Sequence, residues 1–276
     1  MPEDSPLYVC TRDGAVLAYD TCGDAGPVVV LLHGWSGSRR YFDLNFKELG
    51  RQCQVYRYDV RFHGDSAGPC WGHHVARLAA DLRDFLDEMD LQDVTVVGTS
   101  MGASTIWSYT ELFGDHRLAK AVFVDQAPLQ NLAEDWSKGS TGCYDAASLA
   151  RLQSTLQYDF EAVATGNCDL CLNLPIADAF REQLISETLR ADAHSLGKLM
   201  ADHTQADWRD TLPRISIPCL NIVARQTRCF RSEGVEYVSK HIPNCETAYF
   251  DEAGHWLYIE QPEVFNNLVL QFVSKA

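Results

Sequence analysis

Val94-Thr95-Val96-Val97-Gly98-Thr99-Ser100-Met101-Gly102 is the stretch on which the fold of this chain turns. Its first four residues form a short β-branched apolar run, the mark of a strand buried on both faces. The residues from Gly102 to Leu112 read as a helix. Between strand and helix stands G-x-S-x-G. A sharp strand-to-helix turn lifts a serine hydroxyl clear of a sheet, and the flanking glycines let neighbouring backbones come close. Ser100 is the candidate nucleophile.

Outward from that turn the pattern repeats. Apolar runs at 27–32, 55–60, 121–124 and 218–223 also read as buried strands. Leu78, Leu82, Phe85, Leu86 and Met89 fall on one helical face between two of them. Alternating strand and helix predicts an α/β fold: a mostly parallel central sheet flanked by helices. From 129 to 212 the pattern changes. Phe180, Leu184, Ile185 and Leu189 keep helical spacing, and no strand-like run appears. That segment is expected to be a helical insert between two strands of one sheet, with 1–128 and 213–276 forming the core. The chain then closes with a strand at 246–250, a loop holding His255, and a helix from about Pro262.

Composition bounds the function. The 276 residues, 46% hydrophobic and 22% charged, are enough to bury a core without disulfides. The balance of 23 Lys+Arg against 38 Asp+Glu gives a formal charge of −15. Nucleic acid and anionic membranes need a basic surface, so a small-molecule partner is expected instead. No run approaches the roughly 18 apolar residues of a membrane span, and the N-terminus lacks the pattern of a secretory signal. The expected location is therefore cytoplasmic. Ten cysteines in a chain of this length are too sparse for a disulfide framework. Cys168 and Cys171 form a CxxC without a second pair at zinc spacing. They are read as structural, and neither a metal nor a cofactor is expected.

A hydroxyl nucleophile needs a base. His255, in Asp251-Glu252-Ala253-Gly254-His255-Trp256, is the candidate. His73, His74 and His116 read as solvated surface residues, and His63 as a loop brace. His33-Gly34-Trp35 follows the first core strand. There the amide of Trp35, with that of Met101 after the nucleophile, could hold a developing oxyanion, and His33 would steady the loop.

These motifs, together with Asp59-Val60-Arg61-Phe62-His63-Gly64-Asp65-Ser66 and Glu260-Gln261-Pro262, resemble the α/β-hydrolase fold over nearly the whole chain. The chain is similar to the lidded branch of esterases, lactonases and cofactor-free haloperoxidases, and that resemblance implies that the insert, 129–212, is a helical cap insertion over the active site. Two departures stand out. The loop usually written R-G-H-G carries Phe62, which implies a less strained turn and an aromatic ring near the site. The usual acid position, past the strand at 218–223, falls at about Thr227, and the nearest carboxylate downstream is Glu233. Asp125, at the tip of the preceding strand, is the better acid, because that edge of the sheet converges on the site. Haloalkane dehalogenases and ring-cleaving dioxygenases resemble this arrangement. The resemblance implies a serine hydrolase of small, fairly apolar carboxylic esters or lactones. A cofactor-free ring-cleaving dioxygenase and a ligand-binding sensor with a slow triad are the alternatives. Trp35, Trp256 and Trp136 are expected to line the substrate pocket.

Overall fold

The computed structural model describes residues 5–275. Eight strands make one sheet: β1 (Leu7–Cys10), β2 (Val16–Cys22), β3 (Val28–Leu32), β4 (Gln54–Tyr58), β5 (Val94–Thr99), β6 (Leu118–Val124), β7 (Cys219–Ala224) and β8 (Cys245–Phe250). Their spatial order is β1-β2-β4-β3-β5-β6-β7-β8. From β4 to β8 every pairing is parallel, whereas β1 and β2 form an antiparallel edge that the sequence reading did not anticipate.

The continuous apolar runs are strands because both of their faces are covered. Val30, Leu32, Val94, Val96 and Phe123 face one core, which also holds Leu78, Leu82 and Phe85 of α2 (Val75–Glu88) and Ile106 and Trp107 of α3 (Met101–Phe113). Their neighbours Val29, Leu31, Val97, Val122 and Val124 face the other. That second core is shared with Phe46 of α1 (Asp43–Leu49) and Phe265 and Val269 of the closing helix (Pro262–Ser274). Adjacent residues on a strand point to opposite faces, so each core takes alternate positions.

Between β6 and β7 lie four α-helices: α4 (Ala146–Tyr158), α5 (Phe160–Cys171), α6 (Asp178–Leu189) and α7 (Ala193–Gln205). After β7 come α8 (Ser232–His241), the short α9 (Leu257–Glu260) and the closing helix, α10. No helix among the described residues is long and apolar enough to cross a membrane.

The strand order reverses direction at β3, which sits between β4 and β5. At such a switch point the loops leaving the carboxyl ends of the two strands diverge and leave a crevice. Those loops carry Gly34-Trp35 and Ser100.

Candidate active site

Ser100 stands between β5 and α3 with φ +53° and ψ −121°, a conformation costly for any residue with a Cβ. The turn is so tight that its glycines admit no substitute. A Cβ on Gly98 would come within 2.5 Å of the Gly102 backbone, and one on Gly102 within 2.5 Å of Leu32 O. On the other side, a Cβ on Gly34 would lie 2.9 Å from Ser100 Cβ, so the loop after β3 runs directly against the serine.

That loop is held by two buried histidines. The Val60 amide donates to His33 Nε2 at 2.9 Å, which leaves Nδ1 protonated to donate to Gly34 O at 2.8 Å. A trans peptide points its C=O and N–H in opposite directions. Fixing Gly34 O on His33 therefore turns the Trp35 N–H away from that ring. His63 repeats the pattern, accepting from Ser36 N at 3.1 Å and donating to Arg61 O at 2.9 Å. Burial keeps both rings neutral, lowering His33 to about 4 and His63 to about 3. Met101 is the first residue of α3, so its N–H has no acceptor within the helix.

Asp125 follows β6 at φ +47° and is fully buried. Its Oδ1 accepts from Ala224 N at 3.1 Å, and its Oδ2 lies 2.7 Å from His255 Nδ1. The loop just before His255 is tied to the insert by Glu260, whose carboxylate accepts from Gly254 N and Leu174 N, both at 2.5 Å. Burial would lower the His255 pKa, but the neighbouring Cys229 and Asp125 outweigh it and raise it to about 9. Ser100 and His255 line one cavity of about 350 Å³. In this state the Ser100 hydroxyl donates to Gln126 Oε1 at 3.3 Å, and among the described residues it makes no hydrogen bond with His255. The Gln126 amide is oriented by its own bond to Ala127 O at 2.8 Å. The sequence alone gives that side chain no role beyond its place beside a strand-tip acid; the fold brings it to Ser100.

Trp35 and Trp256 line the cavity. The Trp35 indole also donates to Leu196 O of α7 at 2.9 Å. Trp136 does not line it. This corrects the expectation: Trp136 is buried among Leu129, Val223, Phe230 and Val235, with its indole N–H on Leu129 O at 2.9 Å. An indole whose N–H finds a local carbonyl packs as core. Glu233 is exposed on the first turn of α8, away from the cavity lining.

The loop after β7 carries Cys229 and Phe230 to the cavity, and Phe230 packs 5.6 Å from the His255 ring. It is tied to the insert through Thr141 N on Cys229 O at 3.0 Å. From the insert, Leu152, Val163, Asn167, Met200 and His203 complete the wall. Both ring nitrogens of buried His203 lack a partner among the described residues.

Two further expectations are corrected. Phe62 does not relax its turn: its φ is +70°, in the left-handed region that disfavours a side chain. Its ring stacks on His73 at 4.4 Å, and its carbonyl accepts from Asp192 N at 3.0 Å, contacts that offset the strain. His73 is accordingly buried rather than solvated, 3.0 Å from Ser195 Oγ.

The sequence model for the alpha/beta hydrolase fold matches residues 27–262. The non-heme chloroperoxidase CPO-A1 of Kitasatospora aureofaciens is 27% identical over 286 residues, covering 98% of this chain and 100% of that one. Two solved structures are similar in fold. An esterase, EaEST, from Exiguobacterium antarcticum has a TM-score of 0.91 at 20% identity, covering 98% of this chain and 100% of its own. A bromoperoxidase from Bacillus anthracis has a TM-score of 0.91 at 24% identity with the same coverage.

Proposed function

This chain belongs to the α/β-hydrolase fold family, and on that premise we propose that it is a serine hydrolase of small, fairly apolar carboxylic esters or lactones. The observation that carries the reading is the buried 2.7 Å bond between His255 Nδ1 and Asp125 Oδ2, in the wall of the cavity that Ser100 also lines. A protonated Nδ1 facing a carboxylate leaves the Nε2 lone pair as the basic site. No metal or cofactor takes part in this mechanism.

An ester entering the cavity displaces the Ser100 hydroxyl from Gln126. The hydroxyl turns to His255, gives up its proton and attacks the carbonyl carbon. The amides of Trp35 and Met101 hold the oxyanion, and one such donor is worth about 3–4 kcal/mol of transition-state stabilisation. Collapse expels the alcohol, which takes the proton from His255. Water, activated by the same ring, then releases the acid from the acyl-serine. Asp125 holds the tautomer throughout. Residues 129–212 act as a lid in this scheme. The unpartnered nitrogens of His203 suit a polar group at the far end of the substrate.

The similarity to a chloroperoxidase favours a second use of the same intermediate. Hydrogen peroxide in place of water would take the acyl group from Ser100 and leave as a peracid.

The test is hydrolysis of p-nitrophenyl acetate and butyrate by the intact protein and by Ser100→Ala. The substitution should abolish turnover. Undiminished turnover would remove Ser100 from the nucleophile role, and no turnover of any ester by the intact protein would favour a ligand-binding sensor.

A further inference from the structure

Two thiols stand beside His255 that ester hydrolysis does not use. Cys171 ends α5, and Cys229 lies 58 residues further along, in the loop after β7. Both line the cavity, whereas Cys168, the other half of the CxxC, does not. The two sulfurs are 3.7 Å apart, and one donor atom from each thiol and a ring nitrogen of His255 all lie within 4.8 Å of one another.

The spacing matches a shared metal ion. Two zinc–sulfur bonds of about 2.3 Å at a tetrahedral angle hold their sulfurs about 3.8 Å apart. The same geometry with a zinc–nitrogen bond of about 2.0 Å asks for a sulfur–nitrogen edge of about 3.5 Å, so the ring or a thiol closes in by on the order of 1 Å at most. Two soft sulfurs and one imidazole select a thiophilic cation over magnesium or calcium. Binding displaces the protons carried by the ligand groups, which must bind as two thiolates and a neutral imidazole. The two thiolates then cancel the double positive charge of the ion itself. The fourth tetrahedral position is left for water or a cavity ligand.

We propose that Cys171, Cys229 and His255 bind a thiophilic divalent cation of the zinc type, and that the bound ion switches the enzyme off. Inhibition follows whichever ring nitrogen is used. At Nε2 the ion takes the lone pair that would accept the serine proton, and at Nδ1 it displaces Asp125. The inhibition rests on the serine-hydrolase reading, whereas the binding does not.

Cobalt is the spectroscopic probe. Titrated into the reduced full-length protein, Co²⁺ should give a thiolate-to-cobalt charge-transfer band that saturates at one ion per chain and is lost on adding Zn²⁺. Cys171→Ser with Cys229→Ser should remove the band. A measurement without variants guards against misfolding: Zn²⁺ should slow alkylation of Cys171 and Cys229 by iodoacetamide, mapped by mass spectrometry. The exposed Cys10 and Cys70 serve as controls that should not change. Zn²⁺ should also abolish ester turnover, and EDTA should restore it. Absence of the band, its survival in the double variant, or unchanged alkylation of both thiols overturns the site. Protected thiols on a chain that turns over no ester would uphold the site while removing the hydrolase reading.

Discussion

Replacing Asp125 by asparagine changes one atom of the site, and the surrounding bonds dictate how the new amide must sit. Ala224 N–H donates to Oδ1, so the asparagine carbonyl oxygen takes that position. The amide nitrogen is then left where Oδ2 now stands, 2.7 Å from His255 Nδ1. Two donors cannot face each other, so Nδ1 gives up its proton and accepts from the amide. The ring proton moves to Nε2, the nitrogen that must take the proton of Ser100. The same wrong-tautomer change in a serine protease lowers kcat by about four orders of magnitude, or about 5.5 kcal/mol. Asp125→Asn should therefore lose about 10⁴ in kcat on p-nitrophenyl acetate, with an unchanged circular dichroism spectrum. Glu233→Gln, on an exposed helix start, should stay within about twofold of the parent, as surface changes do. A loss below tenfold in folded Asp125→Asn would refute the tautomer reasoning and move the acid role to another carboxylate.

The charges around His255 give a second prediction. A protonated ring cannot accept the serine proton, so a raised pKa moves the acidic limb of the kcat/KM profile upward. Its midpoint should lie above the ordinary histidine value and toward about 9, and Asp125→Asn should bring it down; a midpoint at or below about 6.5 contradicts this. His33 and His63 act on stability with the opposite sense of shift. Their folded pKa values of about 4 and about 3 lie below the unfolded value. Their neutral forms support the fold above pH ~6.5, and each should withdraw roughly 3 kcal/mol by pH ~4. Urea titrations across that window should show a steep fall, and a flat profile would mean the rings already titrate in the folded state. Trp136→Phe should cost about 1–3 kcal/mol by leaving Leu129 O unpaired. It should leave KM unchanged, because the indole does not line the cavity. A change in KM without a change in Tm would return Trp136 to the pocket.

Much of the sheet could be read in advance because a buried parallel strand writes itself as an uninterrupted apolar run. Residues 28–32, 94–99 and 219–224 are such runs. The edge pair could not. Leu7 and Tyr8 of β1 are about half exposed, and β2 mixes Asp20 and Thr21 into its apolar positions, so neither carries a strand period. At the candidate site, residue type and place in the strand–loop order point to Ser100 and His255, and the resemblance adds Asp125; the structure sets Asp125 2.7 Å from His255, and Ser100 lines the same cavity as that ring. Residue type alone misled at Trp136, because an indole suits a pocket and a core equally. At Phe62 the aromatic side chain implied a relaxed turn, but stacking on His73 sustains a left-handed backbone. The approach of Cys171 to Cys229 left no trace in the sequence. The CxxC pairs Cys171 with Cys168, whereas its thiol contact is with Cys229, where the end of one helix meets the loop after a distant strand.

Reaction with a fluorophosphonate, followed by mass mapping of the adduct, asks directly whether the turn after β5 carries an activated hydroxyl. One phosphonyl group per chain should be found on the peptide containing Ser100, and it should vanish in Ser100→Ala and fall steeply in His255→Ala. Labelling at another residue, or no labelling of a chain that still cleaves esters, would contradict the assignment of Ser100 as nucleophile and His255 as its base.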